Sequence, residues 1–228
     1  MKILALETAT LAGSVALVDD ALGLVGEVRI NVAVAHAERL MPSITWLLDS
    51  STTAVNDIDA IAVSIGPGSF TGLRIGLSTA KGFAFSLNRP IVPVPTLEAF
   101  ARTIPFSRHP LCPMLDARKG EVYAGLYQWE GDRCAVVMPE RAVSPADLLK
   151  GITETVVFMG EGAVIYRDEI LSAMEGRALF APPSKMSPSA SSVGELALEK
   201  LREGFSADPA GLIPRYIRKS EAEVRWKG

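Results

Sequence analysis

Two short polar segments of the sequence carry the residues that could contact a phosphate. Glu7-Thr8-Ala9-Thr10 places a carboxylate and two hydroxyls after an apolar run, and Gly66-Pro67-Gly68-Ser69 stands before a helical pattern. Backbone N–H groups in tight turns and at helix N-termini can hold a phosphate. The same residues also fit a polar hairpin turn and a sharp strand-to-helix turn, so both interpretations stay open. The candidates for nucleotide contact are Glu7, Thr8, Thr10, Gly66, Gly68 and Ser69.

The sequence offers little material for other kinds of catalytic site. Gly66–Ser69 lacks the Lys and the spacing of a P-loop. The two histidines, His36 and His109, form no HxxxH or HExxH motif, and we expect both to be surface residues. Cys112 and Cys134 form no Cys-x-x-Cys motif and cannot make a disulfide framework. We therefore predict no metal site and no catalytic triad.

Composition indicates an ordinary globular protein. The 228 residues include 48% hydrophobic and 21% charged residues, which excludes disorder, collagen and coiled coil. The net charge of −3 creates no strong field for nucleic acid. Glu7 ends the first apolar run too early for a signal peptide, and the long uncharged stretch 60–73 contains Gly-Pro-Gly. We expect a cytoplasmic protein without a membrane span.

Hydrophobic periodicity in the first half predicts an α/β unit that positions both polar segments. Short apolar runs separated by turns favour an antiparallel three-strand meander, and a 3.6-residue period then favours helices. The predicted elements are strands over 2–6, 14–18 and 24–34, a helix over 36–51, a strand over 59–65, a helix over 70–87, a strand over 90–94, and a helix over 96–103 capped by Thr96.

The second half repeats the order of strands before helices after a proline-containing linker over 104–113. Its predicted elements are strands over 111–115, 121–128, 135–142 and 155–159 and helices over 145–150, 163–174 and 187–204. The repeated order predicts two related α/β lobes, 1–104 and 105–228, with a return of the last segment to the first lobe left open.

The helix predicted over 70–87 contains glycines that need a reason. A glycine inside a helix costs about 1 kcal/mol relative to alanine. A ridge of small residues at every fourth position lets another backbone approach closely. Either the chain's own core or a second subunit could use it, and the large apolar Met41 and Trp46 of the preceding helix could join such an interface. The ridge consists of Gly72, Gly76, Ala80 and Ala84.

The C-terminal segment 215–227 is basic. It carries five Lys and Arg residues against two Glu, a local charge of +3, with Tyr216 and Trp226 interleaved. Such a segment could bind nucleic acid or an acidic partner, or could be a solvated terminus.

Several of these motifs together resemble the TsaB (YeaZ) family over residues 3–218. The resemblance rests on Ile3–Thr10, His36–Pro42, Gly66–Gly76, Asp116–Tyr123 and Pro214–Arg218. It implies the actin/hexokinase/Hsp70-like (ASKHA) fold, with two ribonuclease-H-like lobes built on mixed sheets. It also implies a bacterial, non-catalytic paralogue of TsaD, the subunit that transfers the threonylcarbamoyl group to adenosine 37 of tRNA.

The resemblance further implies the partners. A TsaB-like chain pairs with TsaD, supports binding of TsaE, forms homodimers in isolation through the same helices, and contacts tRNA indirectly or through the basic tail. It implies no cofactor of its own, with ATP and Mg at the level of the complex. The predicted interface residues are Met41, Thr45, Leu48, Gly72, Leu73, Gly76, Ala80 and Phe83.

Two other functions remain open on sequence alone. The catalytic subunit's metal-binding His pair has a counterpart in His36, but the second position is Leu40. An independent ATPase or small-molecule kinase of the same fold would use the polar turn after Glu7 and the Gly66–Gly68 loop on phosphates. A metallopeptidase follows from old family naming, and the lack of a His cluster argues against it.

Overall fold

The computed structural model describes residues 1–32 and 35–218. By its internal contacts the chain divides into two units. Apart from the undescribed residues 33 and 34, unit 1 contains Met1–Thr103 and Pro188–Pro214, and unit 2 contains Ile104–Ser187 together with the described residues 215–218. The helical segment after residue 188 therefore belongs with the first half of the chain.

Unit 1 is built on a five-stranded mixed sheet. Its order is β3-β2-β1-β4-β5, with β1–β2 and β2–β3 antiparallel and β1–β4 and β4–β5 parallel. The predicted meander is therefore confirmed. β1 and β4 are parallel neighbours, so their C-terminal ends lie side by side. The polar residues that follow these strands therefore meet at one edge of the sheet. The strands are β1 (Lys2–Glu7), β2 (Ala12–Asp19), β3 (Gly23–Asn31), β4 (Ala60–Ser64) and β5 (Ile91–Val94).

Helices cover both faces of this sheet, because its central strands carry apolar side chains in both directions. On one face, Leu4 and Leu6 of β1 pack with the first two helices. On the other, Ile3 and Ala5 pack with the last helix, whose Gly194 comes so close to β2 that a Cβ would lie 2.6 Å from Val18 Cγ2. The helices of unit 1 are α1 (His36–Ser50), α2 (Phe70–Leu87), α3 (Thr96–Ala101) and α7 (Ala190–Arg202).

Unit 2 repeats this topology. Its sheet has the order β10-β9-β6-β7-β8, again with an antiparallel three-strand meander joined to parallel strands. Its core lies between the sheet and three short helices. The elements are β6 (Leu111–Arg118), β7 (Glu121–Glu130), β8 (Arg133–Val143), β9 (Val156–Met159), β10 (Ala178–Phe180), α4 (Pro145–Lys150), α5 (Glu161–Ile165) and α6 (Arg167–Met174).

Some local predictions were wrong. The single helix predicted over 163–174 is two helices that meet at Tyr166, whose φ of −102° and ψ of 22° lie outside helical values. Thr96 does not cap α3: Pro95 holds that position, and the Thr96 hydroxyl instead accepts the N–H of Gly66 at 3.1 Å. Strand β3 ends at Asn31, and Val34 lies outside the described residues.

Within the described ranges, no helix is both long enough and apolar enough to cross a membrane.

Candidate functional site

The structure brings the six candidate nucleotide residues together at the edge of unit 1 where β1 and β4 end. Residues 8–10 form the turn between β1 and β2, and residues 66–69 join β4 to α2. The backbone N–H of Ser69 donates to the carbonyl of Ala9 at 2.7 Å. At Gly68 a Cβ would lie 2.5 Å from the same carbonyl oxygen, so this glycine allows the two segments to touch.

The hydroxyl groups of these segments bond the chain's own backbone. The Thr8 hydroxyl donates to the carbonyl of Gly72 at 2.8 Å, and the Thr10 hydroxyl donates to that of Ala12 at 3.0 Å. The Ser69 hydroxyl caps α2 by accepting the N–H of Gly72 at 3.3 Å. A phosphate would have to displace these bonds, so the arrangement favours the structural-turn interpretation of both segments.

Glu7 is the buried carboxyl group of this edge. Its side chain is fully buried at the end of β1, and Oε1 accepts the N–H of Ala9 at 2.6 Å. Burial raises the Glu7 pKa from 4.5 to about 7, because the bond from Ala9 and the nearby Ser64 hydroxyl only partly offset the loss of hydration.

His36 ties the start of α1 to the same turn and is half-buried, so its prediction as a surface residue was wrong. Nε2 donates to the carbonyl of Thr10 at 2.7 Å, and Nδ1 accepts from the Arg39 guanidinium at 3.1 Å. Burial, together with the charge of Arg39, lowers the His36 pKa. Among the residues with described positions, no group of three or more His, Cys, Asp or Glu could hold a metal ion.

The glycine ridge of α2 faces inward. Gly72 lies against the backbone carbonyl of Thr8, and Gly76 lies against the Thr8 hydroxyl. Leu73 and Ala80 are also fully buried. The prediction that Gly72, Leu73, Gly76 and Ala80 contact a second subunit was therefore wrong, because the chain's own turn and core occupy the space beside them.

Other predicted interface residues of α1 and α2 differ in their exposure to solvent. Met41 is 48% exposed and Thr45 is exposed, whereas Leu48, at 9%, belongs to the core. On α2, Phe83 is half-buried and Phe85 is 89% exposed. Trp46 is also exposed but lies seven residues after Arg39, on the side of α1 that contacts β3. We call four exposed residues and the half-buried Phe83 the α1–α2 surface: Met41, Thr45, Gly82, Phe83 and Phe85.

Two members of this surface were missed by the sequence reasoning. At Gly82 a Cβ would meet no described atom within 4 Å, so nothing in the unit requires a glycine there. Phe85 lies five residues after the buried Ala80 and therefore about 140° around the helix from it. The helical pattern could have located both, because each falls outside the stripe that contains Leu73 and Leu77.

The described part of the basic tail is bound to unit 2. Arg215 forms an ion pair with Glu140 at 2.5 Å, and Arg218 forms one with Glu121 at 2.9 Å. Arg218 also donates to the carbonyl of Ala117 at 2.8 Å. The remaining tail residues of the prediction, Lys219, Arg225, Trp226 and Lys227, lie outside the described residues.

Comparison with known proteins identifies the family. The model of the tRNA N6-adenosine threonylcarbamoyltransferase (TsaD) family matches residues 25–226. The tRNA threonylcarbamoyladenosine biosynthesis protein TsaB of Bacillus subtilis is 33% identical over 99% of this chain and 98% of its own length.

Solved structures agree with this comparison. A Pseudomonas aeruginosa protein described as similar to peptidase YEAZ superposes with a TM-score of 0.81 at 29% identity, over 95% of this chain and 99% of that one. The activator of 2-hydroxyisocaproyl-CoA dehydratase from Clostridium difficile, at 11% identity and a TM-score of 0.52 over 90% of this chain and 97% of its own, shares the fold alone. The predicted ASKHA fold is confirmed. The full-length similarity of this chain to TsaB and its superposition on the YeaZ-like structure show that the chain belongs to the TsaB (YeaZ) family.

Proposed function

We propose that this chain is a non-catalytic subunit of the tRNA threonylcarbamoyladenosine modification system and that it pairs with a TsaD-type subunit through the α1–α2 surface. The observation that carries the proposal is Gly82. An interior helix glycine costs about 1 kcal/mol relative to alanine, and no described atom near Gly82 gives it a role within the chain. Close approach of another helix would give it one.

Other exposed residues of α1 and α2 support the same surface. Phe85 exposes most of its ring three residues further along α2, and Met41 and Thr45 are exposed on the adjacent helix. Exposed aromatic and Met side chains are enriched in the cores of protein interfaces. A TsaD-type partner is favoured because the TsaD family model matches most of this chain, which supports a partner of the same fold with an equivalent helix pair. In isolation, a second copy of this chain would occupy the surface.

The non-catalytic role is supported by the edge beside β1 and β4. Thr8 and Thr10 direct their hydroxyls to the chain's own carbonyls. His36 bonds Thr10 and Arg39, and Leu40 follows at the position of a second metal-binding histidine. We therefore propose that the chain binds no nucleotide alone and that ATP and Mg belong to the assembled complex. Sub-millimolar binding of ATP–Mg by the isolated chain, measured by calorimetry, would contradict this.

Reconstitution tests the proposal. Purified TsaD and TsaE are assayed for threonylcarbamoylation of tRNA with and without this chain, and we expect modification to depend on it. Phe85→Asp is expected to weaken the affinity for TsaD at least tenfold, because it places a charge in an apolar contact. Phe106→Asp is the matched control: Phe106 is a 70% exposed aromatic residue in unit 2.

Each outcome contradicts a different part of the proposal. Modification that proceeds equally without the chain would contradict the accessory role. Full affinity of Phe85→Asp for TsaD would instead contradict the surface, with the role intact. Analytical ultracentrifugation of the isolated chain tests whether a second copy of the chain binds this surface. A homodimer formed there would become monomeric in Phe85→Asp but not in Phe106→Asp.

We also propose that the chain supports TsaE binding and that the basic tail contacts tRNA. Arg215 and Arg218 are already paired with Glu140 and Glu121, so the contact would fall to residues 219–228. Truncation after Arg218 is expected to weaken tRNA binding by the complex and to reduce its salt dependence. Unchanged tRNA affinity at low salt would contradict the tail contact.

The support of TsaE binding is tested by pull-down. If TsaD alone retains as much TsaE as TsaD together with this chain, the supporting role is contradicted.

A further inference from the structure

Glu7 and Ser64 form a pair of buried polar residues whose hydrogen bonding is incomplete. They end β1 and β4, one residue beyond the registered pair Leu6 and Val63, and both are fully buried. Glu7 Oε2 and Ser64 Oγ have no hydrogen-bond partner of ordinary geometry among the described residues. Groups so placed are rare in folded proteins, because burial of an unpaired polar atom costs free energy.

No charged neighbour among the described residues contributes to the raised pKa of Glu7. The neighbouring polar groups on its face of the sheet are the hydroxyls of Ser14 on β2 and Ser64 on β4. The charged and titratable groups of β3 are Arg29, which is in register with Ser14, and Glu27, which bonds the start of α7. Those of the other adjacent elements are Glu98 in the first turn of α3, and His36 and Arg39 of α1, which bond the carbonyls of Thr10 and Leu11. The shift of the Glu7 pKa arises only from burial, Ala9 and Ser64.

We propose that Glu7 is a proton-dependent latch: its neutral carboxyl group closes the turn 8–10 onto the start of α2, and loss of its proton loosens that contact. In the closed state, Oε1 accepts the N–H of Ala9 and Oε2–H donates to Ser64 Oγ, which satisfies both orphaned atoms. In the open state the proton passes to solvent, and the carboxylate must be hydrated by water that enters beside residues 8 and 9.

The contacts next to Glu7 show what this water would disturb. Thr8 donates to Gly72, and Ala9 accepts the N–H of Ser69. Both bonds fasten the first turn of α2 to the sheet edge. Ionisation of Glu7 therefore reaches the helix that carries Gly82 and Phe85. Any effect of pH on partner affinity rests on the proposed function, whereas the latch itself is tested in the isolated chain.

The sign of the effect follows from the direction of the shift. Because the Glu7 pKa is higher in the folded chain than in the unfolded one, the latch contributes its full stability below about pH 4.5 and loses it as pH rises through about 7. The latch predicts a fall of the folding equilibrium constant of the order of a hundredfold across this window. Glu7→Gln keeps a neutral side chain of the same length and is expected to remove this dependence.

The direct test is a titration of the Glu side-chain carboxyl carbons of the full chain by ¹³C NMR between pH 4 and 8.5. Glu7 is assigned by the signal missing in Glu7→Gln, and its midpoint is expected near pH 7. A midpoint below pH 5 would overturn the proposal. Glu203→Gln, which removes an exposed carboxyl group, is the matched control and should leave the Glu7 midpoint unchanged.

Hydrogen exchange tests the opening itself. Protection factors of the Ala9 and Ser69 amides, corrected for intrinsic exchange, are expected to fall at least tenfold between pH 5.5 and 8 in the wild-type chain and to stay constant in Glu7→Gln. Equal pH dependence in both chains would overturn the latch. If Glu7→Gln does not fold, the glutamate signals are assigned from backbone correlations, and a midpoint near pH 7 with a parallel fall in protection supports the latch.

Discussion

The glycines of α2 are of two kinds, although the sequence makes them look alike. Gly72 and Gly76 lie against Thr8, so the turn between β1 and β2 takes the space that a side chain would need. Gly82 meets nothing in the described residues and lies beside the exposed Phe85. The first kind serves the interior of unit 1, and the second is available for contact with another molecule.

Alanine substitutions should therefore act in opposite directions. Gly76→Ala is expected to lower the free energy of unfolding by about 2 kcal/mol, because its Cβ would overlap the Thr8 hydroxyl. Gly82→Ala is expected to raise it by about 0.5–1 kcal/mol, because alanine favours the helix and meets no obstacle. Urea unfolding of the two variants measures both values, and equal changes in the same direction would contradict this division.

At the scale of elements, α7 is held by its N-terminus. Glu27 of β3 accepts hydrogen bonds from the Ser189 hydroxyl at 2.7 Å, from the N–H of Ala190 at 3.0 Å and from the Ser191 hydroxyl at 3.2 Å. Ser14 of β2 also accepts from Ala190, at 2.8 Å. A negative charge at a helix N-terminus is stabilising, so one side chain both caps α7 and fixes it to the sheet.

Loss of this cap should weaken unit 1. Glu27→Ala is expected to lower the free energy of unfolding by about 1–2 kcal/mol, because it removes the acceptor of the Ser189 and Ser191 hydroxyls, one of the two acceptors of the Ala190 N–H and the negative charge at the start of α7. Glu203→Ala, at the exposed opposite end of α7, should change it by less than about 0.5 kcal/mol. Thermal or urea unfolding compares the two, and a Glu27→Ala effect no larger than that of the control would refute the capping role.

Periodicity located most elements, because buried strands and amphipathic helices each have a clear apolar pattern. Periodicity could not show that the small residues of α2 face the interior of unit 1. Gly72 and Gly76 are buried just as the apolar Leu73 is. Periodicity also missed β10, whose three residues are too few to show a period, and the break at Tyr166, which no Gly or Pro marks. The partners of Glu27 are 162 or more residues away in sequence, beyond any local pattern.

At the scale of the whole molecule, two units of the same strand order are completed by segments distant in sequence. Unit 1 takes Pro188–Pro214 back from the far end of the chain. In unit 2, Arg215 reaches Glu140 on β8, and Arg218 reaches the β6–β7 hairpin. Residues 215–218, through Arg215 and Arg218, thus attach the start of the tail to unit 2.

Two truncations should distinguish the anchor from the end. Removal of all residues after Pro214 deletes both ion pairs and is expected to lower the melting temperature by roughly 2–4 °C, corresponding to about 1 kcal/mol for such partly exposed pairs. Removal of residues after Arg218 keeps both pairs and should leave the melting temperature within about 1 °C. Differential scanning calorimetry decides, and equal melting temperatures would show that the pairs add nothing.

The return of α7 to unit 1 has a consequence for how the protein emerges from the ribosome. The five strands of the first sheet are complete once Val94 has been synthesised, but the helix that covers Ala5, Val18 and Ala62 ends at Arg202. At roughly 5–20 residues per second, the nascent sheet would keep this apolar face uncovered for about 5–20 s. During translation, therefore, this face of the first sheet would be a binding site for chaperones that recognise exposed apolar surface.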